Sequence, residues 1–161
     1  MSSDLAFQAS GGGFSRLFGR PSYQNGVPGI GSMRGVPDVA ADGDPVTGIA
    51  VITGNPGGGY AVSGHAGTSA SAPLWAGIIA LADQYARRHL GFVNPALYRI
   101  ARSSQYHRAF HDVTAGSSNA AEFPRGTIAG YRAVPGWDPV TGWGSPDAQV
   151  LVPLLARYAT P

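Results

Sequence analysis

The residues from Ala70 to Ala82 are apolar apart from Ser71, and the turn Gly67-Thr68-Ser69 leads directly into them. This run is too short for a bilayer span, which needs about 20 residues. We therefore predict a buried helix that extends to about residue 88. Thr68 is predicted to cap it, because a threonine oxygen can accept a bond from a free N–H of the first turn.

The position of Ser69 at this junction suggests a catalytic role for its hydroxyl. Its hydroxyl would lie beside first-turn amides and the positive end of the helix dipole. An acyl-transfer nucleophile needs such an arrangement, an exposed oxygen next to donors for a developing oxyanion. The simpler alternative is that these residues only begin a helix and have no catalytic function.

Composition narrows the class of protein. The chain has 161 residues, 43% hydrophobic and 12% charged, which fits one domain or part of a larger one. Its 11 basic residues are all arginines and form no run, which argues against nucleic-acid binding. With no cysteine there is neither a disulfide nor a thiolate metal site. The sequence contains no membrane span, and its start lacks the pattern of a signal peptide, so an export signal would lie outside this chain.

Several further elements are predicted. The apolar stretch 35–41 is typical of a buried parallel strand. Residues 49–53 and 60–63 are predicted to form a hairpin around a glycine-rich tip. Asn94-Pro95 and Ser145-Pro146 each resemble a helix start, a capping residue followed by proline.

The segment 111–144 is predicted to be mostly loop, and a long patterned loop usually has a function. It contains two aspartates, Asp112 and Asp138, near tight turns that would expose carbonyls. Carboxylates and carbonyls suit calcium, which takes six to eight oxygen ligands. Spacing alone favours a simpler interpretation, in which both aspartates cap turns.

Five segments together resemble the sedolisin family, serine-carboxyl peptidases with a subtilisin-like fold. They are residues 10–15, 34–42, 67–73, 110–114 and 135–142, in the order in which the family has them. The resemblance implies an α/β fold with a parallel sheet and a central buried helix. Residues 1–161 would be roughly the C-terminal half of a catalytic domain, incomplete, with a nucleophile segment at about 60–90 and a calcium-binding loop region at about 110–144.

The resemblance also implies roles for individual residues. Ser69 would be the nucleophile. Asp112 and Asp138 would bind Ca²⁺ through their side chains, and Val113, Val134 and Gly136 through their carbonyls. The family usually has glycine where this chain has Val134, and a carbonyl ligand survives that change where the backbone conformation suits a β-branched residue.

The acids that activate the serine in this family have no counterpart here. The family pairs a glutamate with an aspartate four residues later, whereas the single glutamate of this chain, Glu122, has no acid at 118 or 126. The partner acids are expected upstream of Met1, in the remaining part of the catalytic domain. His65 and His111 are the alternative bases. His65 has no acid nearby in sequence, and His111 is expected to flank the cation loop.

Two functions follow as hypotheses. The first is part of a secreted endopeptidase that cleaves peptides or proteins at acidic pH, with the isolated chain inactive because it lacks the general base. The second is a calcium-stabilised binding or scaffold module, without catalysis, derived from the same fold.

Overall fold

The computed structural model describes residues 5–6, 11–44, 46–118, 120–123 and 126–159. Ser10, the first residue of the first matched segment, lies outside them. The elements, in chain order, are β1 (Leu5–Ala6), β2 (Gly13–Gly19), a 3-10 turn (Ser22–Gln24), β3 (Met33–Val36), β4 (Ile49–Gly54), β5 (Tyr60–His65), α1 (Thr68–Ala86), α2 (Asn94–Ala101), α3 (Tyr106–Ala109), β6 (Phe110–His111), β7 (Ala115–Gly116), β8 (Ala120–Phe123), β9 (Gly126–Ile128), β10 (Ser145–Pro146) and α4 (Ala148–Tyr158).

The core lies where α1 and α2 pack against α4. Its centre is formed by fully buried apolar side chains from all three helices and the loop between α1 and α2, among them Ala82, Leu90, Ile100, Leu151 and Leu155. Such burial is the main favourable contribution to folding. No helix within the described residues is long and apolar enough to cross a membrane.

The long helix α1 is buried along one face only. Ile78 and Ala82 face the core, whereas Leu81 on the other side is 54% exposed and Tyr85 is 64% exposed. The predicted helix is therefore present, and the described residues leave part of its apolar surface exposed.

The strands form two-stranded ladders in the described residues. Strands β4 and β5 make the predicted antiparallel hairpin, with Ile49 opposite His65 and Gly54 opposite Tyr60. One ladder, β1 with β7, is parallel. The fold is a mixture of helices and strands, as expected for the α/β class.

The predicted parallel strand at 35–41 is wrong. Strand β3 ends at Val36 and pairs antiparallel with β2. Residues 37–42 have no strand partner in the described part of the chain, where side chains and loop backbone bond to their carbonyls instead. Two of these bonds come from tryptophan indoles, Trp137 to Pro37 and Trp75 to Ala40.

Three predicted helix starts need correction. Gly67, at φ 84°, is the residue before α1, and Thr68 is the first helical residue rather than a side-chain cap. The Asn94 side chain does not cap α2, since it donates to Asp38 instead. Asp147 caps α4 by accepting a bond from the Val150 amide, whereas Ser145 and Pro146 form β10.

Candidate active site and cation loop

Ser69 lies in the first turn of α1 with its side chain exposed. It borders an open groove of about 360 Å³ between the start of α1 and the hairpin β4–β5. Within the described residues its hydroxyl has no hydrogen-bond partner. The structure thus presents this oxygen to solvent, as a nucleophile requires.

Two amides next to Ser69 are available as oxyanion donors. The amides of Ala70 and Ser71 both donate to the Gly67 carbonyl, at 3.0 and 2.9 Å. Within the described part of the chain, the amides of Thr68 and Ser69 have no acceptor. The donors are therefore fewer than the whole first turn that the sequence suggested, and both lie at the serine itself.

The start of α1 is fixed by the loop that precedes β4. The Asp42 carbonyl accepts from the Gly67 amide at 3.1 Å and from the Ser71 hydroxyl at 3.0 Å. One turn further on, the Trp75 indole donates to the Ala40 carbonyl at 2.9 Å. These three bonds set the direction in which the first turn points.

The same loop is bonded to the candidate cation loop. The Trp143 amide donates to the Asp38 carbonyl at 3.0 Å, and the Ala40 amide donates to the Gly144 carbonyl at 2.9 Å. Segment 37–42 therefore contacts both candidate sites. Sequence reasoning missed this role, although a short apolar stretch between two glycine-rich loops was visible.

Neither histidine is bonded to the serine. On β5, His65 Nε2 lies 2.9 Å from Ser63 Oγ at the rim of the Ser69 groove. His111 is on β6, opposite Ser145. The backbone of Glu122 lies in β8. No described residue is hydrogen-bonded to the Ser69 hydroxyl as a base.

Asp138 is fully buried and organises its own turn. Its Oδ1 accepts from the amides of Val140 and Thr141, both at 2.8 Å, and its Oδ2 accepts from the Val134 amide at 2.9 Å. The turn-capping role considered from sequence is thus present in Asp138. A carboxylate oxygen still has a further lone pair for a cation.

Asp112 differs from Asp138 in one respect. Its Oδ2 accepts from the Gly136 amide at 2.9 Å, whereas its Oδ1 is buried with no hydrogen-bond partner in the described structure. The nearby Tyr106 hydroxyl donates to the Trp143 carbonyl at 3.2 Å rather than to Asp112. Burial raises the pKa of this phenol, and the closeness of the Asp112 carboxylate and then the charge of Asp138 raise it further. A buried, unpaired carboxylate oxygen is unfavourable by itself, so its chemistry suits a bound cation.

Four of the five predicted ligand residues are brought together directly: Asp112 is bonded to Gly136, and Asp138 to Val134. The fifth, Val113, follows Asp112 and packs in a small cluster with Ala133 and Val140. The described residues contain no group of three or more His, Cys, Asp or Glu side chains that could hold a metal. A cation here would therefore need backbone carbonyls as well, which calcium accepts.

The whole arrangement is similar to that of a known peptidase fold. A solved structure of Pseudomonas sedolisin (serine-carboxyl proteinase), complexed with two molecules of pseudo-iodotyrostatin, matches with a TM-score of 0.76 and 29% identity. The match covers 93% of this chain and 37% of that one. No protein-family model matches the chain.

Curated relatives agree with the structural match. Kumamolisin from Bacillus sp. (strain MN-32) is 43% identical over 159 residues, covering 94% of this chain and 26% of kumamolisin. Human tripeptidyl-peptidase 1 is 34% identical over 174 residues, covering 96% of this chain and 29% of that protein. Over nearly its whole length the chain is therefore similar to serine-carboxyl peptidases of the sedolisin family, and it spans between a quarter and a third of the length of the curated relatives.

Proposed function

We propose that this chain forms the nucleophile-bearing part of a serine-carboxyl endopeptidase. The observation that carries the proposal is the exposed hydroxyl of Ser69 at the start of α1, which, like the adjacent amides of Thr68 and Ser69, has no hydrogen-bond partner among the described residues. The relatives support the peptidase class, and the proposal extends that class to the activity of the complete protein.

In the proposed reaction, Ser69 Oγ attacks the carbonyl carbon of a peptide bond. Its proton passes to a carboxylate supplied by the remaining part of the catalytic domain, a glutamate according to the family resemblance. The Thr68 and Ser69 amides donate to the developing oxyanion. A carboxylate base works at acidic pH, where a histidine would be protonated. We expect the chain alone to be inactive, because no described residue supplies this base.

We also propose that the loop holds a calcium ion. The side chains of Asp112 and Asp138 and the carbonyls of Val113, Val134 and Gly136 would hold it. When bound, the ion supplies positive charge that stabilises the loop. The buried Oδ1 of Asp112, which has no hydrogen-bond partner within the described ranges, supports this assignment.

The remaining part of the catalytic domain is the proposed structural partner. Support comes from the exposed apolar face of α1, where Leu74, Leu81 and Tyr85 are 40%, 54% and 64% exposed. Apolar patches of this kind commonly mark interaction surfaces. Secretion of the complete protein stays a prediction.

A chimera tests the function. This chain would replace the segment of kumamolisin that it matches, and hydrolysis of a denatured protein would be measured at pH 3–5. We expect activity that Ser69→Ala abolishes and that Ser32→Ala, a change at an exposed serine in another loop, leaves intact. A folded chimera without activity would contradict the proposal and favour the non-catalytic module.

The lengths of the product peptides distinguish an endopeptidase from a tripeptidyl-peptidase. An endopeptidase releases internal fragments of varied length. The name of the human relative raises a second candidate, a tripeptidyl-peptidase, which would release tripeptides. Mass spectrometry of the digest distinguishes them.

A further inference from the structure

A single carbonyl, that of Asp42, holds both ends of the turn that carries Ser69. It accepts from the Gly67 amide at 3.1 Å and from the Ser71 hydroxyl at 3.0 Å. Gly67 and Ser71 are also bonded to each other, because the Ser71 amide donates to the Gly67 carbonyl at 2.9 Å. These three hydrogen bonds, which we call the Asp42 clamp, form a closed ring. Ser69 lies between its two ends, in the serine turn (residues 67–71).

Ser69 has little backbone bonding of its own. Its amide has no acceptor within the described residues. In a regular helix its carbonyl would accept from the amide four residues later. That residue is Pro73, which lies inside α1 and has no N–H. The position of the Ser69 backbone therefore depends on the bonds that its neighbours make.

The Ser71 hydroxyl bonds outside its own helix. A serine within a helix often donates to the carbonyl four residues earlier, which here would be that of Gly67. The Ser71 hydroxyl instead donates to Asp42, 29 residues earlier in the chain. Asp42 is held in its own loop, because its Oδ1 accepts from the Asp44 amide at 3.1 Å. The bond from Ser71 is thus a tertiary contact that joins the start of α1 to a separate loop.

We propose that Ser71 is a positioning residue for the nucleophile: its hydroxyl holds the serine turn on the Asp42 carbonyl and so sets where Ser69 Oγ lies relative to the scissile bond. This rests on the proposed function, and it adds a residue to that site. A displacement of about 1 Å can lower the rate of an enzymatic reaction 100-fold. Loss of the Ser71 hydroxyl should therefore lower kcat, whereas KM should stay unchanged because the substrate contacts remain.

The first test uses the kumamolisin chimera and a chromogenic peptide substrate. Ser71→Ala should lower kcat at least about 10-fold at unchanged KM, and Ser71→Thr, which keeps the hydroxyl, should retain most of the activity. The matched control is Ser103→Ala. The Ser103 hydroxyl also donates to a backbone carbonyl, that of Ile100 at 2.7 Å, and Ser103 is half-buried like Ser71, but it lies just beyond α2. This control variant should keep the kcat of the chimera.

The second test does not depend on activity. Amide hydrogen exchange is measured on the isolated chain, labelled with ¹⁵N, at Gly67 in the clamp and at Ala82 in the middle of α1 as the reference. In Ser71→Ala, exchange at Gly67 should be about 5-fold faster relative to Ala82, the scale that the loss of one hydrogen bond gives. Ser71→Thr and Ser103→Ala should keep the wild-type ratio.

Three results would overturn the positioning role. One is an unchanged exchange ratio at Gly67 in Ser71→Ala. Another is an equal loss of kcat in Ser71→Ala and Ser103→Ala, which would indicate lower stability alone. The third is a loss of kcat in Ser71→Thr although Gly67 stays protected. Faster exchange at Gly67 in Ser71→Ala together with an inactive chimera would instead defeat the proposed function and leave the clamp standing.

Discussion

The Gly136 amide donates to one oxygen of the Asp112 carboxylate at 2.9 Å, while the other oxygen is buried without a partner among the described residues. One half of this carboxylate therefore fastens the loop, and the other half is available for a ligand. This asymmetry makes Asp112 more informative to mutate than Asp138, whose two oxygens both hold the turn.

Calcium should raise the melting temperature, and a chelator should lower it. A ligand that binds only the folded state stabilises it by about 2.7 kcal/mol at 100 times its dissociation constant. Asp112→Asn should remove this response, since it neutralises the free oxygen while an amide oxygen can still accept from Gly136. Asp44→Asn, in the loop before β4, should retain it. Equal melting temperatures with calcium and with chelator would show that the loop binds no calcium.

Tyr98→Phe should destabilise the chain by about 1–3 kcal/mol, the cost of leaving buried polar groups unpaired. The Tyr98 hydroxyl donates to Asp38 Oδ1 at 2.8 Å and accepts from Gln24 Nε2 at 2.7 Å. Urea unfolding measures the change. Tyr60→Phe, at a side chain that is 82% exposed, is the control and should have almost no effect.

Gly144→Ala should disturb the cation loop. Gly144 has φ +93°, and an added Cβ would lie 2.0 Å from the His111 carbonyl oxygen. We expect a loss of more than about 1 kcal/mol in the free energy of unfolding, together with a weaker calcium response. Gly57→Ala, where a Cβ would meet nothing within 4 Å, should change stability by less than about 0.5 kcal/mol. Similar values for the two variants would contradict the structure.

Asp83 should make the free energy of unfolding depend on pH. Its pKa is lowered, first by the hydrogen bond from the Leu90 amide and then by His89. Its contribution is therefore complete above the ordinary aspartate pKa of about 3.9, and it is lost as the pH falls through the lower folded value. The difference in unfolding free energy between wild type and Asp83→Asn should shrink below about pH 4.

The control for this prediction is His89→Gln. It removes the lesser partner and keeps the Leu90 amide, so most of the dependence on pH should remain. A difference between wild type and Asp83→Asn that stays constant from pH 7 to pH 2 would show that the carboxylate charge contributes nothing.

Features that depend on neighbours in sequence could be predicted. The hairpin β4–β5 follows from alternation and a glycine-rich tip, and α1 from its apolar run. That Asp112, Asp138, Val134 and Gly136 lie together was implied only by the family resemblance, because spacing alone favoured aspartates that cap turns.

Features set by distant partners could not be predicted. Trp137 bonds to a carbonyl 100 residues earlier, and Trp75 to one 35 residues earlier. These bonds occupy carbonyls of segment 37–42 that a neighbouring strand would otherwise use, and no local pattern indicates them. The start of α1 was missed for a related reason, since Gly67 is held by Asp42, which lies in an earlier loop.

Because segment 37–42 contacts both candidate sites, neither site can be transferred to another protein by itself. A transplant of residues 110–144 into another scaffold, as a portable ion-binding graft, would lose the acceptors for Trp137 and Trp143 unless 37–42 travelled with it. If segment 37–42 were moved along with the loop, the serine turn left behind would lose the Asp42 carbonyl that holds Gly67 and Ser71. Protein engineers would have to treat the two sites as a single module.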